Sequence, residues 1–142
     1  MTESVGRIEL ARTVDAFMRR LHAGIHAEAI ERDKERVGPI GGMVLMAIEE
    51  FQPTPIHQLV EHLGRDKSQM TRIIQQLEGK ALIRRAPSEQ DGRSSVVALT
   101  PKGACVVRDL QSIVGEVLND LLEPLQANER AELLRLLKKT RS

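Results

Sequence analysis

From residue 64 to residue 103 the chain reads GRDKSQMTRIIQQLEGKALIRRAPSEQDGRSSVVALTPKG. Asp66 can cap a helix here, because its carboxylate can accept from the backbone N–H three residues on while Gln69 reaches back, as in a capping box. Behind this cap, apolar side chains recur at i, i+3, i+4 and i+7, which is the spacing of one buried helical stripe. The stripe consists of Met70, Ile73, Ile74 and Leu77. The segment therefore predicts a short amphipathic helix that begins at Asp66.

The opposite face of this helix carries polar and basic side chains and no acidic one. Its members are Ser68, Gln69, Arg72, Gln75 and Gln76, with Thr71 at the border. Each of them can hydrogen-bond a base edge or a phosphate of a nucleic acid. A solvated helix face in this chain is expected to mix signs, as residues 31–36 do. The lack of acid therefore favours a face that meets nucleic acid.

A second short helix is predicted just upstream. Thr54 and Pro55 form an N-cap and first-turn pair, and an apolar stripe follows them. The stripe consists of Ile56, Leu59, Val60 and Leu63. Gly64 then ends the helix and leaves a turn of about three to four residues that contains glycine. Two short helices at this spacing predict a helix-turn-helix.

Two strands are predicted downstream, at residues 82–86 and 95–99. Residues 87–94 between them are rich in turn formers and place Arg93 at the tip of a hairpin. A hairpin that follows a helix-turn-helix is a wing. An arginine at its tip can enter a narrow minor groove, where the negative potential is enhanced.

At this point the chain resembles a known family. Residues 59–103 are similar to the winged helix-turn-helix of MarR-type transcriptional regulators. The most specific matches are the Asp91-x-Arg93-Ser94 turn and the Leu99-Thr100-x-x-Gly103 segment. The resemblance implies a homodimeric repressor or activator that binds a pseudo-palindromic double-stranded DNA operator and is often released by a small-molecule effector.

Long helices are predicted on both sides of this segment. Apolar side chains at helical spacing run from about residue 5 to residue 30, and again over residues 106–121 and 133–137. Thr100 and Pro101 repeat the cap-plus-proline pattern at the start of the second of these regions. The apolar surface of the terminal helices exceeds what a small winged domain can cover, which indicates a dimer interface.

Between the first long helix and the helix-turn-helix, the sequence predicts a hinge and then a buried helix. The hinge is expected at Gly38-Pro39 and at the pair Gly41-Gly42, and the almost wholly apolar run 43–51 forms the helix. The fold class is therefore mainly α with a small β-hairpin wing. Its expected parts are an N-terminal dimerisation helix at 1–36, a winged helix-turn-helix DNA-binding domain at 37–103 and C-terminal dimerisation helices at 104–142.

Composition narrows the class of partner. The formal net charge of the 142 residues is +1, but residues 52–103 carry eight Lys and Arg against five Asp and Glu, so the positive charge lies with the motif. The chain has no Trp or Tyr, and its aromatic residues are Phe17 and Phe51. Binding of single strands by base stacking is therefore disfavoured, and duplex DNA is favoured.

The sequence lacks the motifs that are typical of other classes of function. There is no glycine-rich phosphate loop, nucleophile elbow or metal-ligand cluster, so we expect no enzyme, no cofactor and no metal site. No signal peptide or apolar run of membrane-spanning length is found, which predicts a cytoplasmic protein. His22 and His26 share a helix face but lack further ligands, so solvated histidines are expected. Cys105, the one cysteine, is expected to be buried and structural.

These observations predict a dimeric, sequence-specific regulator of transcription. Major-groove contacts are expected from Ser68, Gln69, Thr71, Arg72 and Gln75. Arg93 is expected in the minor groove, and Thr54, Lys67, Ser94 and Ser95 are candidates for phosphate. Arg84 and Arg85 alternate faces of a strand, so at most one is expected to point to phosphate. The alternatives are a winged-helix protein-interaction module and a non-specific architectural DNA-binding protein.

Overall fold

The computed structural model describes residues 2–90, 92 and 94–141, the first four of them by their backbone alone. The helices are α1 (Thr2–Arg32), α2 (Gly38–Phe51), α3 (Ile56–Leu63), α4 (Lys67–Gly79), α5 (Pro101–Leu121) and α6 (Ala127–Lys139). The strands are β1 (Thr54–Pro55), β2 (Ile83–Pro87) and β3 (Ser95–Leu99). A mainly helical chain with one small antiparallel sheet confirms the predicted fold class.

The chain divides into two compact units. One contains the residues up to Ala29 together with those from Ile113 onward, and the other is Ile30–Ser112. We call the second the winged unit, because it holds α2, α3, α4 and the sheet. Every described residue that the sequence predicts to contact DNA belongs to it.

The core of the winged unit is built from the predicted apolar stripes. On α4, Met70 and Ile74 are fully buried, and Leu77 is 2% exposed. They share one cluster with Leu45 and Ile48 of α2. Complete burial of a side chain of this size stabilises the fold by about 1.5–3 kcal/mol. The burial of one face of α4 therefore determines which face is left outside.

The sheet has the strand order β1-β3-β2, and both pairs are antiparallel. In the hairpin, Ile83 faces Leu99 and Pro87 faces Ser95. The predicted wing strands are therefore confirmed, with the first beginning one residue later than expected. The third strand, β1, was not predicted.

The expected N-cap role of Thr54 was wrong. Thr54 pairs with Val97 in the sheet and is 1% exposed, while α3 begins at Ile56 after Pro55. The residue before a proline is driven toward the extended region, which suits a short edge strand better than a helix cap. A side chain buried to this degree cannot reach a phosphate, so Thr54 is withdrawn from the phosphate candidates.

The expected hinge before the apolar helix was also wrong. Helix α2 already begins at Gly38, and Gly41 and Gly42 lie buried within it. A Cβ built on Gly42 would stand 3.4 Å from Cδ1 of Leu110 on α5. At this distance an added methyl group would make ordinary van der Waals contact with α5, so the packing does not require glycine here, and the residue weakens the helix itself.

The unit that holds the chain ends packs α1 on the second half of α5. A Cβ added to Gly24 would meet Val117 Cγ1 at 2.5 Å, so this glycine allows the two helices to touch. Large apolar side chains of α1 and α6 are 46–65% exposed in the protomer. These are Ile8, Leu10, Val14, Met18, Leu134, Leu136 and Leu137. The predicted long terminal helices are thus confirmed, and they leave apolar surface uncovered in a single copy.

The start of α5 is attached to the segment that links α4 to β2. Thr100 Oγ1 accepts from the backbone N–H of Gly103 at 3.0 Å, which confirms the predicted cap. The same hydroxyl donates to the carbonyl of Ala81 at 2.6 Å, and the N–H of Thr100 donates to the carbonyl of Leu82 at 3.1 Å. A Cβ built on Gly103 would lie 1.9 Å from that Leu82 oxygen. No side chain fits there, so position 103 requires glycine for the close approach.

Gly103→Ala is expected to lower the free energy of unfolding by about 1–3 kcal/mol or more, because the backbone of Leu82 must move away from the new methyl group. Gly79→Ala is the matched control. A Cβ at Gly79 meets nothing within 4 Å, so this change should be neutral or stabilise by up to about 1 kcal/mol. Urea denaturation measures both variants. Equal stabilities of the two would contradict the close approach.

Candidate nucleic-acid interface

The turn before α4 sets the direction in which the helix starts. The turn comprises three residues, and Gly64 adopts the left-handed conformation with φ of 60°. Asp66 caps α4, but its Oδ1 accepts from the N–H of Ser68 at 3.3 Å, two residues on. The expected capping box was therefore wrong. The short carboxylate of Asp66 accepts from the second helical N–H instead of the third, and no bond from the Gln69 side chain to the cap is found among the described residues. The predicted start of the helix is confirmed.

The outer face of α4 presents the polar side chains that the sequence assigned to base contacts. Ser68, Thr71, Arg72 and Gln75 are exposed, and Gln69 is half-buried. The Thr71 hydroxyl donates to the carbonyl of Lys67 at 2.9 Å, so its oxygen remains an acceptor. In the part of the chain that the structure describes, no hydrogen bond or ion pair engages the side chain of Ser68, Arg72 or Gln75. These groups can therefore meet an external partner without breaking an internal bond.

The phosphate candidates are placed on two elements. Lys67 is exposed at the first residue of α4. Ser94 and Ser95 are half-buried at the start of β3, and the carbonyl of Ser94 accepts from Ser88 across the hairpin at 2.9 Å. The serines therefore belong to the wing, whereas the lysine belongs to the helix.

The wing strand β2 carries two arginines in different settings. Arg85 Nη2 lies 2.5 Å from Glu78 Oε1 near the end of α4, which ties the strand to the helix. Arg84 is exposed and has no side-chain partner among the residues described. An ion pair this exposed contributes about 0–1 kcal/mol, so its main effect is to orient Arg85. Arg93, and Asp91 of the same turn, lie outside the described residues.

A loop to which the sequence patterns assign no contact lies beside α4. It connects α1 to α2, and we call residues 33–37 the α1–α2 loop. The ammonium of Lys80, just after α4, donates to the carbonyl of Glu35 at 2.8 Å. Lys102 Nζ lies 3.4 Å from Glu35 Oε2 and donates to the carbonyl of Lys80 at 3.1 Å. No local pattern in the sequence could have paired residue 35 with residues 80 and 102, since only their opposite charges hint at it.

Cys105 was expected to be buried, and that expectation was wrong. The side chain is exposed on the first turns of α5, and its Sγ accepts from Arg108 Nη2 at 3.3 Å. The apolar neighbours in sequence lie on other faces of the helix, with Val107 buried. Within the described ranges, no three His, Cys, Asp or Glu side chains converge as a metal site would require.

None of the helices described is both long enough and apolar enough to span a lipid bilayer.

Comparisons with known proteins agree on the family of the central segment. Residues 42–95 match the model of the MarR family. The HTH-type transcriptional regulator SarZ of Staphylococcus epidermidis is 32% identical over 77 residues, which are 54% of this chain and 49% of that protein. The chain thus spans about half the length of the curated relatives it matches.

Two solved structures extend the similarity to nearly the whole chain. The reduced form of MarR from E. coli is 25% identical, with a TM-score of 0.75 over 94% of this chain and 96% of that one. A mutant of the E. coli protein complexed with operator DNA is also 25% identical, with a TM-score of 0.65 over 99% and 96% of the two chains. Together with the glycine-dependent junction at Gly103 and the exposed acid-free face of α4, these matches show that residues 42–95 are similar to the MarR family and lie in a winged helix-turn-helix, in a fold like that of MarR from E. coli.

Proposed function

We propose that this protein is a homodimeric transcriptional regulator that binds a specific sequence in double-stranded DNA. The observation that carries the proposal is the outer face of α4 over residues 68–76, where exposed polar and basic side chains stand together and none is acidic. Such a face is suited to hydrogen bonds with base edges in a major groove. The operator complex of the similar E. coli protein supports the same use of this fold.

The proposed contacts follow from where the side chains lie. Base contacts are assigned to Ser68, Gln69, Thr71, Arg72 and Gln75. Lys67, Ser94 and Ser95 are assigned to phosphates, and Arg93 to the minor groove on the strength of the sequence. Arg72 is the strongest candidate for specificity, because a guanidinium can bind guanine through two parallel hydrogen bonds.

The exposed apolar surface of the terminal helices supports a homodimer. Side chains such as Leu10 and Leu137, which are 65% and 56% exposed, are costly to leave in water when they belong to a larger apolar patch. A second copy with the same patch can cover them around a twofold axis. Two dyad-related copies of α4 would then lie about 34–36 Å apart on the DNA, one turn of the double helix.

We further propose that the regulator is a repressor and that a small-molecule effector releases it. An effector lowers DNA affinity when it binds the unbound arrangement of the dimer more tightly than the DNA-bound arrangement. The similarity to the MarR family supports this part of the proposal. The spacing of the two recognition helices is the property that such an effector would change.

Competition in a gel-shift assay tests the proposal against its two alternatives. Fragments of the source genome are selected by binding to the protein and then competed with random duplex. A regulator retains a small set of fragments against a large excess of random duplex. A protein-interaction module retains none, and an architectural protein loses all fragments equally to the competitor.

Arg72→Ala is expected to cost about 1–3 kcal/mol on the selected fragment and much less on random duplex, if the guanidinium makes a bidentate base contact. Arg72→Lys is the control, because it keeps the charge and loses the planar fork. The lysine variant should keep the salt dependence of binding and lose the preference for the fragment. Equal losses on both duplexes would show that Arg72 touches phosphate alone.

A protein with both Leu134→Glu and Leu137→Glu is expected to sediment as a monomer. The two positions lie one turn apart on α6 and are 55% and 56% exposed, so their burial would contribute about half of the 1.5–3 kcal/mol of a fully exposed leucine, and a dimer contains four of them. The dimer dissociation constant should therefore rise by at least roughly a hundredfold. Lys138→Glu, an exposed change on the same helix, should leave the dimer intact. A double variant that stays dimeric would exclude this part of α6 from the interface.

A further inference from the structure

A cleft of about 280 Å³ opens in the winged unit between the α1–α2 loop and the outer face of α4. Arg36 and Ile40 line one side of it, and Gln69, Arg72, Gln76 and Lys80 line the other. Gln69 and Arg72 are also proposed base contacts. The cleft therefore borders the surface that would enter the major groove.

The charge of the cleft is positive and uncompensated. Its described lining includes Arg36, Arg72 and Lys80 and no carboxylate. The Lys80 ammonium is already bound to the carbonyl of Glu35. Neither guanidinium has a side-chain partner among the residues that the structure describes. Two unpaired guanidinium groups at one cleft fit an oxyanion such as a phosphodiester.

The loop that carries Arg36 is held in place by polar bonds. Both oxygens of Asp33 accept backbone N–H groups at 2.9 Å, from Val37 and from Gly38. Arg36 itself has φ of 54°, the left-handed conformation that few side-chain-bearing residues adopt. Its N–H donates to the carbonyl of Asp33 at 3.1 Å. These bonds hold the backbone of the loop at Arg36.

The two carboxylates of the α1–α2 loop are both engaged by donors, so they leave an anion free to bind in the cleft. Asp33 is engaged by backbone N–H groups, and the Glu35 carboxylate is paired with Lys102 at 3.4 Å. In the sequence, the alternating charges of this loop look like an ordinary solvated surface. In the structure, its two carboxylates are bound within the protein and do not pair with Arg36. Among the loop residues that line the cleft, Arg36 is exposed, and its guanidinium has no side-chain partner within the described part of the chain.

We propose that Arg36 binds a backbone phosphate at the edge of the major groove, so that the α1–α2 loop is a DNA-contacting segment in addition to α4 and the wing. The inference rests on the proposed function, since it requires α4 to lie in the groove. A helix in the major groove is flanked by the phosphates of both strands, and a cation beside the helix meets one of them. The cleft provides the space for that phosphate.

Arg36→Asn tests the proposal, because asparagine tolerates the left-handed conformation and removes the charge. Lys34→Asn is the matched control, since Lys34 is exposed in the same loop and does not line the cleft. Binding to the selected fragment and to random duplex is measured over a range of NaCl concentrations. Each lost phosphate contact reduces the slope of log affinity against log salt by about 0.9, so a dimer should lose about two. Thermal unfolding checks that the variants are folded.

The expected result is a slope lowered by about two in Arg36→Asn, with equal losses on both duplexes and recovery in Arg36→Lys. A slope equal to that of Lys34→Asn overturns the inference and leaves the proposed function intact. Failure of the wild type to bind any duplex overturns both. Replacing NaCl by sodium phosphate at equal ionic strength separates DNA phosphate from a free oxyanion. An extra loss of binding in phosphate that Arg36→Asn abolishes supports the contact, because a free oxyanion at Arg36 weakens DNA binding by competing with a DNA phosphate there. A DNA affinity of the wild type that responds to phosphate no differently from that of Arg36→Asn overturns it.

Discussion

The burial of one apolar stripe on α4 is the constraint on which the rest of the winged unit depends. Met70, Ile74 and Leu77 enter the same core as the apolar residues of α2 and the sheet. With 3.6 residues per turn, fixing these positions fixes the direction of every other side chain on the helix. The polar face is therefore exposed because its opposite face is buried. Its composition, free of acid, then decides what it can bind.

Around this helix, polar bonds and close backbone contacts set the position of the neighbouring elements. The hydroxyl of Thr100 and the missing side chain of Gly103 bring the start of α5 against the carbonyl of Leu82. Lys80, at the end of α4, holds the α1–α2 loop through the carbonyl of Glu35. The pair formed by Arg85 and Glu78 ties β2 to the helix. The segments that would approach DNA are thus attached to the C-terminal end of the same short helix.

Sequence patterns predicted the local elements well and their long-range partners poorly. The stripe, the turn at Gly64 and the cap at Thr100 follow from periodicity and from residue-specific backbone preferences, and all were confirmed. Thr54 has the residue type of a cap, but its pairing with Val97 places it in the sheet. Gly41 and Gly42 have the residue type of a hinge, but both lie buried within α2. A local pattern carries no information about a neighbour more than forty residues away.

The sequence alone determined the helix-turn-helix, the wing strands and the acid-free face of α4, because hydrophobic periodicity and capping act within a few residues along the chain. The tertiary structure decided which polar residues are accessible. It buried Thr54, exposed Cys105 and engaged Arg85, and among the described residues it left the Arg36 side chain without a partner next to α4. The physical reason is that accessibility and charge pairing depend on distances through space, which are set when the elements pack together.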